Sequence, residues 1–222
     1  MKQNFIFLSS EGDAWYERNQ THLTQINIAE EPDISYILAS LLPVKDQIDN
    51  ILEIGCSSGL KLKKLCDELD AKGVGIEPSE KAVMDGNAMK HDSVTLVQGT
   101  GDSLPFADAS FDLVNFAFCL YLFDRNTLLK SLAEADRVLK PGGYMVITDF
   151  DPGTQRKRAY SHFPGLFSYK QNYGSLYTSA GLYYLTGKKC FSHRSTVFDT
   201  DADERVSTQI LYKEKDAFIN ES

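Results

Sequence analysis

Short runs of aliphatic and β-branched residues alternate with longer segments of helical periodicity between residues 48 and 149. This alternation is typical of βαβ units, in which right-handed crossovers join parallel strands. Ligands bind such a sheet beyond the carboxyl ends of its strands. The pattern predicts strands at Asn50–Ile54, Gly73–Glu77, Val94–Gln98, Phe111–Phe118 and Tyr144–Asp149, with helices at Leu60–Leu69, Ser79–Met89 and Arg125–Leu139.

The segments on either side of this alternation predict further elements of the same domain. Ahead of it, an amphipathic helix that ends at Pro43 is indicated by apolar residues at helical spacing, namely Ile34, Ile37, Leu38, Leu41 and Leu42. Behind it, Lys189–Phe198 and Arg205–Lys213 alternate as antiparallel strands do. We therefore predict one domain, with an N-terminal helical cover at 1–48, a core at 49–151, and a substrate-side insertion with C-terminal strands at 152–222.

The composition argues against several classes of protein. The net charge of −8 disfavours nucleic-acid binding, because phosphate contacts need a basic surface. The dense basic cluster at Arg156–Arg158 is either a solvated loop or a contact for a small anionic substrate. The longest apolar run, Phe116–Phe123, is too short to span a bilayer, and the N-terminal segment shows no secretory pattern. We expect a cytoplasmic protein that does not enter a membrane.

The cysteines and histidines are scattered along the chain. They form no C-x-x-C pair and show no spacing typical of a metal site. We therefore predict no bound metal, and free thiols rather than a disulfide framework at Cys56, Cys66, Cys119 and Cys190.

The segment Ile51–Leu60, with the sequence ILEIGCSSGL, predicts a buried strand that enters a glycine loop and then a helix. Gly55 and Gly59 allow the backbone to approach a ligand without a Cβ clash, and the helix start offers backbone donors. Glu53, at the end of the strand, could accept a hydrogen bond from a ligand amino group. The same pattern also fits a tight strand-to-helix turn that binds nothing.

Glu77 ends the next predicted strand, 22 positions after Gly55. A carboxylate at this strand tip can accept hydrogen bonds from both hydroxyls of a ribose. The alternative is a surface glutamate at a helix entrance, because Pro78 and Ser79 follow it. The preceding glycine loop favours ribose binding.

A third polar segment, Gly99–Phe106, follows the third predicted strand. Asp102 could accept from an adenine amino group while Ser103 offers its backbone, and Leu104 and Phe106 could cover the purine. A turn-forming aspartate beside ordinary core residues is the alternative. Together, the three segments indicate an adenosine site more strongly than any one of them.

Four segments now show a family resemblance: ILEIGCSSG, GVGIEPS, GDSLPFADASFDLV and RVLKPGGY. The stretch from about Asp49 to Asp149 resembles class I S-adenosyl-L-methionine-dependent methyltransferases of the type 11 kind. The resemblance implies an α/β fold, with a Rossmann-like, seven-stranded, mostly parallel sheet, an antiparallel last strand and helices on both faces. It departs from the family at Ser57, where glycine is frequent. It also lacks an Asn-Pro-Pro-Tyr signature, so the class of acceptor stays open.

The resemblance implies S-adenosyl-L-methionine as cofactor and S-adenosyl-L-homocysteine as product. Arg18 could bind the cofactor carboxylate and Tyr16 could close over the methionine end; alternatively, the segment Trp15–Asn19 only docks an N-terminal helix. The residues expected at the cofactor are Glu53, Gly55, Cys56, Ser57, Gly59, Glu77, Pro78, Asp102, Ser103, Phe118, Tyr16 and Arg18.

The acceptor is expected beyond the fourth strand, beneath the N-terminal cover and the insertion around Tyr160–Lys170. His162 is the candidate general base there, although a lone histidine in an aromatic loop is often structural. Asp149 and Asp151 are further candidates. We expect a small-molecule acceptor, such as a sugar or surface-glycan precursor, from a loose resemblance of the cover and insertion segments to methyltransferase-like sequences. We also consider a homodimer.

Two other functions stay open at this point. One is a regulatory protein that binds S-adenosyl-L-methionine without turnover. The other is a nicotinamide-dependent oxidoreductase, because Tyr184 and Lys188 fit the pattern Y-x-x-x-K. The first loop lacks the early glycine pattern of such reductases, and the pair lies beside a predicted antiparallel region, so coincidence is favoured.

Overall fold

Seven strands form the central sheet of the structure, a computed structural model that describes residues 3–218 and leaves residues 1–2 and 219–222 undescribed. Two further strands form a separate hairpin. The strands are β1 (Asn50–Ile54), β2 (Lys72–Glu77), β3 (Val94–Gln98), β4 (Phe111–Ala117), β5 (Leu139–Phe150), β6 (Arg156–Ala159), β7 (Phe167–Lys170), β8 (Tyr183–Ser192) and β9 (Arg205–Lys213).

The strand order of the large sheet is β3-β2-β1-β4-β5-β9-β8. The first five strands in this order are parallel, and β9 runs antiparallel to both β5 and β8. The order reverses between β1 and β4, which is the switch point where ligands bind in open α/β sheets. The predicted fold class is confirmed.

The helices fall between the strands as the periodicity predicted, and others precede and follow them. They are α1 (Gln3–Ile6), α2 (Gly12–Gln25), α3 (Pro32–Leu41), α4 (Leu60–Leu69), α5 (Glu80–Ala88), α6 (Leu128–Val138) and α7 (Gly174–Thr178). A π-helical turn at Phe7–Glu11 joins α1 to α2, and short 3₁₀ turns lie at Ile28–Glu30, Leu42–Gln47 and Leu120–Leu122.

Alternate side chains of the parallel strands point into two apolar layers. On one face, Leu52 and Phe116 pack with α6 and with Tyr173 and Tyr177 from the late segment. On the other face, residues of α3 and α4 pack with Ile51. Helices therefore cover both faces of the sheet, and only its edges are left for a ligand.

The sequence analysis placed strand β8 incorrectly. The predicted strand at Lys189–Phe198 is instead Tyr183–Ser192, because β8 pairs with β9 from Tyr183 opposite Lys213 to Ser192 opposite Arg205. Beyond Ser192 the chain no longer pairs with β9, so the strand ends there. Local alternation could not show this end point, since the partner strand begins 13 residues later, at Arg205.

The N-terminal helices and the β6–β7 hairpin meet over the carboxyl edge of the sheet. The Gln3 amide donates to the carbonyls of Leu122 (2.5 Å) and Phe167 (2.8 Å). The Tyr160 hydroxyl donates to Glu11 over 2.9 Å. The division into cover, core and insertion stays a prediction. Within residues 3–218, no helix is long and apolar enough to cross a membrane.

Candidate functional site

Two adjoining cavities lie at the carboxyl edge of the sheet. The smaller has a volume of about 120 Å³ and the larger of about 670 Å³. The smaller cavity reaches the ends of β2 and β3, whereas the larger extends beneath the N-terminal cover and the late segment. Both are lined by Trp15, Gly55, Ser57, Ala117, Phe118 and Tyr121.

The glycine loop after β1 forms the boundary between these cavities. Gly55 has a φ of +77°, and a Cβ added there would lie 2.6 Å from the Cβ of Cys119. Ser57 also adopts a left-handed conformation, with a φ of 49°, which explains why glycine would suit this position. Gly59 caps the start of α4 with a φ of +76° and lines neither cavity. Gly55 is thus required by close packing against Cys119, and the loop lines both cavities with Gly55 and Ser57.

Glu77 ends β2 and lines the smaller cavity together with Pro78. Its carboxylate accepts from the backbone N–H of Ser57 (2.9 Å) and of Ser79 (3.0 Å). Burial raises the pKa of Glu77 to about 7, although these two bonds oppose the shift. The glutamate therefore ties the glycine loop to the start of α5 and presents a carboxyl group to the cavity.

Asp102 lines the far side of the smaller cavity. It accepts from the Thr100 hydroxyl (2.6 Å) and from the Asn4 amide (2.8 Å). Ser103 is exposed and lines neither cavity.

The predicted purine cover is placed differently by the structure. Leu104 is in the core, and the Phe106 ring packs against Phe111 at 5.1 Å. Phe123 and Ile76 line the cavity instead. Leu104 and Phe106 are held away from the cavity by the turn after Asp102. Arg137 fixes this turn by donating to the carbonyls of Leu104 and Phe106.

Glu53 and Cys56 lie on the wall of the larger cavity. The Glu53 side chain is 1% exposed, and its Oε2 accepts from the Asn115 amide over 2.8 Å. Its Oε1 has no hydrogen-bond partner among residues 3–218. Burial raises the pKa of Glu53 to about 7 and holds the pKa of the Cys56 thiol well above its usual value. Glu53 can therefore accept one further hydrogen bond.

The N-terminal cover brings Trp15 to the cavities, and neither Tyr16 nor Arg18 lines them. Tyr16 is buried, with its hydroxyl facing Asp85 of α5. Arg18 pairs with Glu11 and donates to the Tyr160 hydroxyl. In this structure Tyr16 packs α2 on α5 and Arg18 bridges to the insertion, and their contacts with the cofactor stay predictions.

Three histidines line the larger cavity: His22, His162 and His193. His162 is exposed and packs edge-on against Tyr160 at 5.3 Å. His193, which the sequence analysis did not single out, stacks parallel to Phe118 at 5.5 Å, and its Nδ1 lies 3.7 Å from Glu204. Burial lowers the pKa of His193, so its neutral form is favoured. It lies just after β8, at the carboxyl edge of the sheet, but the sequence did not reveal this because the end of β8 depends on pairing with β9.

The remaining candidates lie outside both cavities. Asp149 is buried and accepts from the backbone N–H of Tyr121 (3.2 Å) and of Phe150 (2.8 Å). Asp151 pairs with Lys188 of β8, and Tyr184 on the same strand is 65% exposed. The Y-x-x-x-K pair therefore lies on an edge strand away from the glycine loop, as expected of a coincidence.

The basic cluster belongs to the small hairpin. Arg156 and Arg158 of β6 pair with Asp203, and the Lys157 ammonium lies 3.9 Å from the centre of the Phe167 ring. None of the three lines either cavity. Among the described residues, no group of three or more His, Cys, Asp or Glu side chains suits a metal ion, and the four cysteines are free.

Three buried carboxyls should make stability depend on pH. Burial raises the pKa of Glu53 and Glu77 to about 7 and that of Asp149 to about 8. The folded protein thus holds these protons more tightly than the unfolded chain, whose carboxyls titrate near 4. Stability is therefore lost as the pH rises from about 4 to the raised pKa values of 7 to 8, at up to about 1.4 kcal/mol per pH unit for each group, and it levels off above them.

We expect the melting temperature of the ligand-free protein to fall as the pH rises from 6.5 to about 8 and then to level off. The depressed pKa of His193 has the opposite effect, but only below about pH 6.5. Asp149→Asn should make the fall shallower, because an amide does not titrate. A melting temperature that stays level or rises over this range would contradict the expectation.

Comparisons with known proteins agree on one family. A family model described as a methyltransferase domain matches residues 52–147. The 27-O-demethylrifamycin SV methyltransferase of Amycolatopsis mediterranei is 34% identical over 119 residues, which are 51% of this chain and 42% of that protein. A ubiquinone/menaquinone biosynthesis C-methyltransferase of Rhizobium etli is 40% identical over 78 residues, or 35% of this chain and 27% of that protein. The alignments thus span less than half of these curated relatives.

Solved structures agree on the fold. The 1,6-didemethyltoxoflavin-N1-methyltransferase of Burkholderia thailandensis, with bound 1,6-didemethyltoxoflavin and S-adenosylhomocysteine, superposes with a TM-score of 0.72. The match covers 96% of this chain and 91% of that one, at 16% identity. At this identity the likeness concerns the fold alone.

Proposed function

We propose that this protein transfers a methyl group from S-adenosyl-L-methionine to a small-molecule acceptor. The premise is that the chain belongs to the class I S-adenosyl-L-methionine-dependent methyltransferases. The observation that carries the proposal is the buried carboxyl of Glu77. It lines the smaller cavity at the end of β2 and is held by the glycine loop of β1. A carboxylate so placed suits the two hydroxyls of a ribose.

The residues present fit the cofactor of this family. Glu77 would hold the ribose and Asp102 would face the adenine end of the smaller cavity. The methionine end would lie beside the backbone of Gly55 and Ser57 and extend into the larger cavity. There Glu53 Oε1 and Ser57 Oγ have no hydrogen-bond partner among the described residues. The cofactor supplies a methyl group on a positively charged sulfur.

The part of this chain in the transfer is mainly alignment and exclusion of water. Phe118 and Tyr121 line both cavities, so they lie where an acceptor would meet the cofactor. Phe118 has a φ of 56°, a strained conformation for a phenylalanine, and it turns its ring onto Tyr121, Phe150 and His193. His162 stays a prediction for the general base, and His193 shares the same cavity.

The acceptor is proposed to be a small metabolite. The larger cavity, at about 670 Å³, has the size of a metabolite site. Its aromatic lining, which includes Trp15, Tyr160 and Phe191, could stack on a sugar or on a planar ring. The predicted sugar or surface-glycan precursor stays one proposal within this class. The homodimer and the cytoplasmic location likewise stay predictions.

The first test is ligand-induced stabilisation. S-adenosyl-L-homocysteine at about 100 times its Kd should stabilise the folded protein by about 2.7 kcal/mol. This corresponds to a rise of several degrees in melting temperature, measured by calorimetry. NAD at the same concentration should leave it unchanged. A rise with NAD and none with S-adenosyl-L-homocysteine would overturn the methyltransferase proposal in favour of an oxidoreductase.

The second test is transfer of a radiolabelled methyl group from S-adenosyl-L-methionine to small molecules extracted from cells. A labelled product is expected. Tight binding of S-adenosyl-L-homocysteine without a labelled product across a broad screen would favour the non-catalytic regulatory protein.

A further inference from the structure

Four charged side chains from two parts of the chain share one wall of the larger cavity: Glu31, Asp33, Glu53 and Lys61. Glu53 belongs to β1 and Lys61 to α4, whereas Glu31 and Asp33 belong to the N-terminal cover, outside residues 52–147. Asp33 is 5% exposed and Glu53 is 1% exposed. Buried charges of this kind need partners that replace the water they have lost.

Each buried carboxylate on this wall has one oxygen in a well-formed hydrogen bond and one without, although the backbone N–H of Leu62 also stabilises the charge of Glu53. Asp33 Oδ2 accepts from the Lys61 ammonium over 2.6 Å, and Glu53 Oε2 accepts from the Asn115 amide. Asp33 Oδ1 and Glu53 Oε1 have no hydrogen-bond partner among residues 3–218. An acceptor left unpaired in a buried position is costly, so both oxygens favour a donor that enters the cavity.

The charges on this wall favour a cationic donor. Lys61 lies 2.6 Å from Asp33 and 3.5 Å from Glu31, so one ammonium serves two carboxylates. Burial opposes the charge of Lys61, but Asp33 and Glu31 outweigh it and raise its pKa. The Lys61 ammonium is therefore already paired with the cover, and Glu53 adds a further negative charge when it is ionised, above its raised pKa.

We propose that Asp33 joins Glu53 in binding the primary ammonium at the amino-acid end of the cofactor, while Lys61 fixes the Asp33 carboxylate in place. The proposal rests on the proposed function, because Gly55 and Ser57 lead from the smaller cavity to this wall. Asp33 lies on α3, so the motifs of the core do not reveal it. The competing explanation is that Asp33 and Lys61 only dock α3 on α4.

The test uses two ligands that differ by one group: S-adenosyl-L-homocysteine and its analogue without the α-amino group. Calorimetry measures the Kd of each, and the ratio of the two reports recognition of the ammonium alone. For the unaltered protein we expect the analogue to bind at least tenfold more weakly, the scale of a charged hydrogen bond. In Asp33→Asn this ratio should fall severalfold.

Two further variants separate binding from packing. Lys61→Gln breaks the same ion pair but keeps the Asp33 carboxylate, so its ratio should fall less than that of Asp33→Asn. Asp46→Asn removes an exposed charge just beyond α3 and should change nothing. Melting temperatures of all variants show whether each is folded.

The outcomes are distinct. An unchanged ratio in Asp33→Asn, or an equal fall in Lys61→Gln, would overturn the role of Asp33 while leaving the proposed function intact. A ratio near one in the unaltered protein would do the same. Failure of the unaltered protein to bind S-adenosyl-L-homocysteine at all would instead remove the proposed function, and this inference with it.

Discussion

Glu77→Gln should weaken the binding of S-adenosyl-L-homocysteine by about 2 kcal/mol, or roughly thirtyfold in Kd. The carboxylate offers acceptors for the ribose hydroxyls in addition to those used by Ser57 and Ser79. The glutamine side chain has the same shape, but one of its two acceptor oxygens is replaced by an NH₂ donor. This donor would face either a ribose hydroxyl or one of the two backbone N–H groups, where an acceptor is needed. Isothermal titration calorimetry at pH 8 measures the change while the native carboxyl is mostly ionised.

The matched control is Glu80→Gln, which alters an exposed acid at the start of α5. This variant should bind with unchanged affinity, because Glu80 lines neither cavity. If Glu77→Gln folds and binds as tightly as the unaltered protein, Glu77 does not hold the ribose. The more drastic Glu77→Ala should lose affinity by about 1–3 kcal/mol.

Gly55→Ala should lower the free energy of unfolding by about 3 kcal/mol. The left-handed backbone costs an alanine about 1–2 kcal/mol, and a Cβ forced into a packed region costs a further 1–3 kcal/mol. Here that Cβ would meet the Cβ of Cys119 at 2.6 Å, and Cys119 is held by a hydrogen bond from its thiol to the Ile54 carbonyl. Urea unfolding, with the melting temperature as a second measure, gives the change.

Gly181→Ala separates the two parts of this cost. Gly181 has a φ of +72°, close to that of Gly55, and a Cβ there would meet nothing within 4 Å. This variant should lose only about 1 kcal/mol, from the backbone alone. Equal losses of unfolding free energy in the two variants would contradict this expectation. They would show that the loop moves to relieve the contact between the added Cβ and Cys119 at no cost.

The core of the fold was readable from the sequence because its signals are local. The strands Asn50–Ile54 and Val94–Gln98 and the helix Leu60–Leu69 have the bounds predicted for them. Each is an apolar run or periodic segment closed by turn-forming residues within a few positions. The sequence was less reliable for β8, whose ends depend on pairing with β9 across the turn between them.

The N-terminal cover shows why a helix can be predicted and its orientation missed. The π-helical turn at Phe7–Glu11 changes the helical phase before α2, because its hydrogen bonds span five residues instead of four. As a result Trp15 lines the cavities while Tyr16 packs toward Asp85. Periodicity identifies an apolar face, but the neighbour that this face meets depends on contacts with distant residues.

The sequence by itself determined the five parallel strands of the sheet, the glycine loop and the position of Glu77 at the end of β2, since short-range patterning and chain direction are enough to bring these together. The tertiary structure alone decided which side chains from residues 3–48 and 152–218 reach the cavities. Trp15, Asp33 and His193 reach them through packing and pairing between segments far apart in the chain. No local pattern records such contacts, because their energies depend on which surfaces are buried against each other.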